Sequence, residues 1–95
     1  MFEKYDKRRL YWLMEQYLLN KISARVFCDE FYYCYDLELS PDALNDQEQK
    51  AFAELSIVAN RFSEFKEDHE NYPSTYFTEN DLREKIMQTR KKFKI

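Results

Sequence analysis

The chain has 95 residues, of which 44% are hydrophobic, 18% aromatic and 35% charged, with a formal net charge of −3 and no glycine. Enough large apolar side chains are present for one autonomous core, so we predict a single domain over residues 1–95 and exclude a disordered chain. Without glycine, glycine-rich phosphate-binding loops are excluded and tight hairpins are disfavoured, which predicts an all-α fold.

The first half of the chain predicts two helices. Apolar residues recur at the spacing of one helical face from about Tyr5 to Leu19. This face comprises Leu10, Leu13, Met14, Tyr17 and Leu18. Asn20 follows, and because asparagine tolerates the left-handed conformation, we expect it to end the helix. Ser23 is predicted to cap a second helix, which fades near Asp36 and forms an antiparallel hairpin with the first.

A third helix is predicted after two start signals. Ser40-Pro41 is typical of one helix start, and Asp46 with Gln49 three residues later is typical of another. We therefore expect one short turn and then a helix that runs to about Lys66. Its predicted inner face comprises Ala51, Phe52, Leu55, Val58, Ala59, Phe62 and Phe65.

The last quarter of the chain predicts a polar loop and a fourth helix. The loop extends from Asp68 to Phe77 and contains a proline that disfavours helix before it. Thr78 is predicted to cap the fourth helix, with Asp81 at its third position. The inner stripe comprises Leu82, Ile86, Thr89 and Phe93. Four amphipathic helices joined by short connections predict an antiparallel four-helix bundle.

The sequence also predicts a cytoplasmic location. The first residues carry no apolar signal region, and no run of about 18 uncharged apolar residues occurs. On a helix, the Cα atoms of Cys28 and Cys34 would lie about 9 Å apart, beyond the reach of a disulfide. We therefore expect two reduced thiols, as in a reducing compartment.

Charge is distributed unevenly along the chain. Residues 1–25 carry three more basic than acidic groups, and residues 83–95 carry five more. Residues 26–82 carry eleven more acidic than basic groups. Such clustering raises self-repulsion in the folded state, and a basic binding partner is one explanation for it. Solvation of the surface is the simpler explanation for any single carboxylate.

Two acidic regions are candidates for binding a basic protein. In an antiparallel bundle, the connection between helices 2 and 3 lies at one end and the end of helix 3 lies at the other. The first region contains Asp36, Glu38, Asp42 and Asp46. The second contains Glu64, Glu67, Asp68 and Glu70, with Tyr72 and Tyr76 beside it. Either region would steer a basic protein and repel nucleic acid, so we expect neither nucleic acid nor a membrane as a direct partner.

Four segments, taken in chain order, carry a resemblance to a known family. They are residues 18–24, the aromatic helix with Phe27, Glu30 and Phe31, residues 54–62, and residues 78–84. Together they resemble the colicin-D-type and contact-dependent growth inhibition immunity proteins over about residues 8–90. The pattern consists of apolar spacing, one turn and one cap. The basic C-terminal turn and the many aromatic residues depart from it.

The resemblance implies a function for the chain. Immunity proteins of this kind are four-helix bundles that bind the toxic C-terminal domain of a bacteriocin or a contact-delivered toxin, often a tRNA-cleaving nuclease. The resemblance also implies that an acidic face of the immunity protein covers a basic active site of the toxin, which binds RNA phosphates. The expected protein is therefore a toxin inhibitor rather than an enzyme, with no catalytic residue, cofactor or metal.

Two other functions remain open. An acidic helical adaptor would bind some other basic protein. A Mg²⁺-dependent nucleotide hydrolase would use Glu64 with Glu67 and Asp81 with Glu84 as paired carboxylates. Helical-wheel geometry places all four away from the apolar stripe, which argues against convergence in a pocket.

Two single residues also invite a functional interpretation. His69, in the acidic loop, is expected to be exposed and to balance charge. Trp12 falls outside the apolar stripe of helix 1, on the same side as Tyr5. It is either covered by the N-terminal segment or by Arg8, or it anchors an interface.

Overall fold

A computed structural model describes residues 2–93, and in that range the chain is helical and forms no β-strand. The predicted all-α class is confirmed. Lys94, which belongs to the basic C-terminal segment, lies outside the described residues. No helix within residues 2–93 combines the length and apolar character that crossing a bilayer requires.

Within residues 2–93, five α-helices and two irregular helical turns follow one another. The α-helices are α1 (Arg8–Leu18), α2 (Ala24–Tyr32), α3 (Asp46–Asn60), α4 (Lys66–Asn71) and α5 (Glu79–Lys92). A π-helix, Tyr33–Glu38, continues α2, and a 3₁₀ turn, Pro41–Ala43, precedes α3. Helix 2 was expected to fade near Asp36, and the helical backbone in fact extends to Glu38.

Local capping chemistry explains several helix ends. Asn20 follows α1 with φ 61°, the left-handed conformation expected of it. Ser23 caps α2, because its hydroxyl accepts a hydrogen bond from the Val26 amide at 3.1 Å. Thr78 and Asp81 form the predicted reciprocal capping box of α5, with distances of 3.0 and 3.1 Å.

The cap predicted for α3 is wrong by one residue. The N-cap is Asn45, whose side-chain oxygen accepts from the Glu48 amide at 2.8 Å. The Glu48 carboxylate accepts in return from the Asn45 amide at 3.0 Å. Asparagine followed three residues later by glutamate satisfies two free amide groups at once, which the pair of Asp46 and Gln49 does not.

The region after α3 differs from the prediction. Helix α3 ends at Asn60 rather than near Lys66, and Phe65 is 60% exposed instead of buried. After Asn60 the chain leaves the helix and pairs with the segment around Phe77. The Phe77 amide donates a hydrogen bond to the Arg61 carbonyl at 2.7 Å, and this bond takes the place of another helical turn. The polar loop predicted over 68–77 also begins as helix, since α4 extends to Asn71.

One apolar core joins four of the helices. Helix α1 packs against α2 and α5, and α3 packs against the same two helices. The largest fully buried apolar side chains are Tyr17, Phe27, Phe31, Phe52, Leu10, Leu13, Met14, Leu55, Leu82 and Ile86. Rings of Phe27 and Phe31 stack at 5.6 Å, and Phe31 stacks on Tyr35 at 5.4 Å. Each such side chain contributes about 1.5–3 kcal/mol through removal of its apolar surface from water.

Both cysteines are free thiols, as expected, and both are buried. Burial raises the pKa of the Cys28 thiol to about 12 and that of Cys34 to about 11. Neither sulfur is therefore poised as a nucleophile near neutral pH.

Candidate functional site

The first acidic region forms the connection between α2 and α3. We call Asp36, Glu38, Asp42 and Asp46 the 36–46 cluster. The π-helix carries its first two members, the 3₁₀ turn carries the third, and α3 begins with the fourth. All four are exposed, and within residues 2–93 none of them forms an ion pair.

A shallow cleft of about 400 Å³ opens beside this cluster. Asp36 lines it together with the side chains of Tyr35, Leu39 and Leu44. Burial raises the pKa of the Tyr35 phenol, and the negative charge of Asp36 raises it further. The cleft therefore joins a carboxylate to apolar and aromatic surface, a combination that suits the stem and charged end of a lysine or arginine.

The second acidic region is largely occupied by contacts within the protein. We call Glu64, Glu67, Asp68 and Glu70 the 64–70 cluster. The Glu64 carboxylate accepts from Arg25 at 3.1 Å, and Glu70 lies 3.7 Å from Lys66. Asp68, half-buried, accepts a hydrogen bond from the Ser63 hydroxyl at 2.5 Å. Among these four carboxylates, only Glu67 is exposed without a polar partner in the described part of the chain.

The two tyrosines beside the second region do come together. Their rings meet edge to face with centroids 6.2 Å apart. Tyr72 is exposed and Tyr76 is half-buried. They add aromatic surface next to the 64–70 cluster, as the sequence suggested.

The basic ends of the chain neutralise carboxylates elsewhere in the fold. Lys7 contacts Glu48 at 3.0 Å, and Arg9 contacts Glu30 at 2.7 Å. Arg90 of the C-terminal helix pairs with Glu15 of α1.

The same pattern continues at Glu54, where Lys85 and Lys92 approach to 3.2 and 3.4 Å. Hydrogen bonds from these two lysines hold the pKa of Glu54 below its usual range. The internal pairs thus leave the 36–46 cluster without an ion pair among the described residues, although Glu38 shares a surface cleft with Lys4 and Arg9.

Two of the four carboxylates considered for a hydrolase make contacts within the fold. Glu64 binds Arg25, and Asp81 caps α5 through the Thr78 amide. Residues 2–93 contain no group of three or more His, Cys, Asp or Glu side chains placed to hold a metal ion.

His69 and Trp12 differ from their expected surroundings. The His69 ring is half-buried, and its Nε2 lies 2.8 Å from the Ser63 carbonyl oxygen, so it joins the local structure instead of balancing charge in solvent. Trp12 is half-buried as one interpretation required, but Arg9 rather than Arg8 covers it, with the guanidinium carbon 5.4 Å from the ring centroid.

Sequence reasoning missed a group of exposed side chains next to the 36–46 cluster. Tyr32, Tyr33 and Leu37 all project from the end of α2 and the π-helix into solvent. A second apolar periodicity in the sequence could have identified this exposed group. Val26, Tyr33 and Leu37 are spaced by seven and then four residues, which places them on one helical side, away from the core.

No protein-family model, curated protein or solved structure matches this chain.

Proposed function

We propose that this protein is a cytoplasmic immunity protein, which binds a cognate toxin nuclease domain and blocks its active site without performing any chemistry. The observation that carries the proposal is the 36–46 cluster, with four exposed carboxylates on one connection and no internal ion pair in the described chain. The family resemblance over residues 8–90 supports the same function.

The scaffold that would present this cluster is an antiparallel four-helix bundle of α1, α2, α3 and α5. Contacts between helix ends support this arrangement. The first turn of α1 meets the start of α3 through Lys7 and Glu48, while the start of α2 meets the end of α3 through Arg25 and Glu64. The longest dimension of 39 Å, against 25 and 23 Å, suits helices aligned along one axis.

The proposed mechanism is occlusion. A nuclease that cleaves RNA needs lysine and arginine side chains to hold phosphates, and the carboxylates of the 36–46 cluster would pair with those same groups. Long-range attraction would accelerate capture at low ionic strength. The 64–70 cluster with Tyr72 and Tyr76 is the weaker candidate, because Arg25, Ser63 and Lys66 already use its carboxylates.

Co-expression with the adjacent reading frame tests the function. We expect that the product of this frame ends in a basic domain, arrests growth when expressed alone, and is harmless when this chain is present. In vitro, the purified chain should suppress RNA cleavage by that domain. A neighbouring product that is not toxic would contradict the immunity function and favour the acidic adaptor.

Neutralisation of each cluster separately tests the site. A variant with Asp36, Asp42 and Asp46 changed to Asn and Glu38 changed to Gln should lose protection. The matched variant of the 64–70 cluster has the same number of substitutions and charges removed, and it should retain most protection. Circular dichroism of both variants verifies folding. Unchanged protection and complex formation by both variants, in low and raised salt, would contradict acidic occlusion.

A further inference from the structure

The surface cleft beside the 36–46 cluster lies between two helical segments. One wall belongs to the π-helix and the residues after it, and the other to the start of α3 and the residues before it. We call it the 35–49 cleft. Its volume is about 400 Å³, and the described residues that line it are Tyr35, Asp36, Leu39, Ser40, Leu44 and Gln49. It thus combines aromatic and aliphatic surface with one carboxylate.

The walls of the 35–49 cleft are held in place by contacts with the core. The Tyr35 ring stacks on the buried Phe31 ring, with centroids 5.4 Å apart and planes inclined by 17°. Leu44 is only 7% exposed, and its carbonyl accepts a hydrogen bond from the Gln49 side-chain amide at 3.1 Å. A partner side chain would therefore enter a preformed cleft, which lowers the entropic cost of binding.

The charge that lines the 35–49 cleft is negative. Asp36 is the only charged residue among the described lining residues, and it forms no ion pair within residues 2–93. The chain segment of the opposite wall carries two further exposed carboxylates, Asp42 and Asp46. Lys50 follows Gln49 on α3 but does not line the cleft, because neighbouring residues of a helix point in different directions.

The remaining member of the 36–46 cluster belongs to a different surface. Glu38 lines a separate cleft together with Lys4 and Arg9, so positive charge is already present beside it. Complementarity to a basic partner therefore depends on Asp36, and Glu38 is not part of the site.

The composition of the 35–49 cleft suits arginine better than lysine. A guanidinium group is planar, stacks on aromatic rings and binds a carboxylate through two parallel hydrogen bonds. Tyr35 and Asp36 are adjacent in the sequence and line the same cleft, so one guanidinium can contact both. Leu39 and Leu44 supply apolar surface for the methylene stem. A lysine would gain the stem contacts and a point charge, but not the planar stack.

We propose that the 35–49 cleft is the anchor site for an arginine side chain of a basic partner protein, with the guanidinium paired to Asp36 and packed on the Tyr35 ring. The occupant is argued from charge complementarity, because the described lining carries one negative charge and no positive one. The identity of the partner as a toxin rests on the proposed function, whereas the preference for arginine follows from the cleft itself.

Peptide titration tests the choice of cation. The isotope-labelled full chain is titrated at low ionic strength with a short peptide of alternating arginine and alanine, and separately with its lysine counterpart, while backbone amide shifts are followed. We expect the largest shifts within residues 35–49 and a dissociation constant about twofold to fivefold lower for the arginine peptide. Shifts centred on residues 64–70, or equal dissociation constants, would overturn the proposal.

The Tyr35→Leu variant tests the role of the ring. Leucine keeps an apolar side chain against Phe31 but removes the aromatic surface. We expect the variant to bind the two peptides with nearly equal dissociation constants, because the selectivity for arginine depends on the ring. If Tyr35 served only the fold, the ratio of the two dissociation constants would stay as in the wild type, and this result would overturn its role as a binding residue. Circular dichroism verifies folding.

A charge-compensated variant separates direct pairing with Asp36 from a general electrostatic effect. Asp36→Asn removes a negative charge, and Lys50→Gln removes a positive charge from an exposed residue outside the cleft. The double variant therefore has the net charge of the wild type. We expect Asp36→Asn to weaken binding of the arginine peptide about threefold to fivefold, and the double variant to regain less than half of this loss. Full recovery would overturn pairing with Asp36.

The toxin domain, used in place of the peptide, separates this site from the proposed function. Asp36→Asn should then raise the dissociation constant at least about tenfold, as for a charged residue that is buried in the interface. Equal neutralisation of the toxin by the wild type, Asp36→Asn and Tyr35→Leu would overturn the anchor site and leave the immunity function intact. Arginine-selective binding in the cleft, with a neighbouring gene product that is not toxic, would support the anchor site and contradict the immunity function.

Discussion

Substitution of Glu48 provides the sharpest test of the fold. Its side chain connects the first turns of α1 and α3, and the residue is only 4% exposed. One carboxylate oxygen accepts from the Tyr11 hydroxyl at 2.6 Å. The other accepts from the Asn45 amide and from the Lys7 ammonium, both at 3.0 Å. Glu48→Ala therefore removes three polar contacts at one buried position.

The expected magnitude follows from these contacts. A hydrogen bond to a charged group contributes about 1.5–3 kcal/mol, which applies to the Tyr11 hydroxyl. Loss of the hydrogen bond from the Asn45 amide adds about 1 kcal/mol. The Lys7 side chain is 40% exposed, so solvent screening limits its ion pair to less than about 1 kcal/mol. We expect Glu48→Ala to lower the free energy of unfolding by about 3–4 kcal/mol, a large share of the about 5–15 kcal/mol typical of a domain.

Urea unfolding followed by circular dichroism measures this loss, and its pH dependence tests the cause. Burial raises the pKa of the Glu48 carboxyl, but hydrogen bonds from Tyr11, Asn45 and Lys7 outweigh burial and hold it below its ordinary value. The ionised form is thus favoured in the folded state. The stabilisation should be fully present above the unfolded-state pKa and lost as pH falls through the lower folded-state pKa.

The control is Glu84→Gln, which removes one exposed carboxylate from α5. Its free energy of unfolding should stay within about 0.5 kcal/mol of the wild type. The reasoning is refuted if Glu48→Ala is no more destabilising than this control, or if the difference between Glu48→Ala and wild type does not shrink toward low pH.

Three further predictions concern local features. Asn20→Gly should retain stability within about 1 kcal/mol, whereas Asn20→Val should lose about 1–3 kcal/mol, because only the first accepts a positive φ easily; thermal unfolding compares them. Cys28 and Cys34 should react with a disulfide reagent at pH 8 at least about a hundredfold more slowly in the folded chain than in urea, since burial raises both thiol pKa values. Equal rates would contradict the buried placement. Thr78→Ala should lower the free energy of unfolding by about 1 kcal/mol through loss of the cap, and urea titration that detects no change would count against the capping box with Asp81.

Local signals were sufficient for most of the fold. Capping residues and apolar periodicity act within one or two turns, so Asn20, Ser23 and Thr78 were assigned from sequence. The end of α3 could not be assigned in this way. Phe62 stays buried after the helix has ended, so the periodic pattern continues across the turn, whereas Phe65 matches the pattern but is exposed. The turn depends on pairing with Phe77, which lies too far along the chain for local sequence patterns to reveal the contact.

The candidate site was predictable only in part. Positions of carboxylates follow from sequence, but whether a carboxylate is free depends on tertiary contacts such as Arg25 with Glu64, which are 39 residues apart. The two acidic clusters therefore appeared equivalent before the structure distinguished them. The sequence does not predict the π-helix for another reason. The apolar spacing over Cys34 and Tyr35 also fits an ordinary α-helix.

The distribution of ion pairs shows how a protein with a net charge of only −3 leaves one acidic connection unpaired among residues 2–93. The basic ends of the chain are used inside the fold, where Lys7, Arg9 and Arg90 meet carboxylates of the helices. These contacts stabilise the scaffold and remove positive charge that would otherwise screen the acidic connection. The 36–46 cluster forms no such pair within residues 2–93. Neutralisation of its exposed carboxylates should therefore change stability little and weaken binding, which is the relation expected when charge serves recognition rather than the fold.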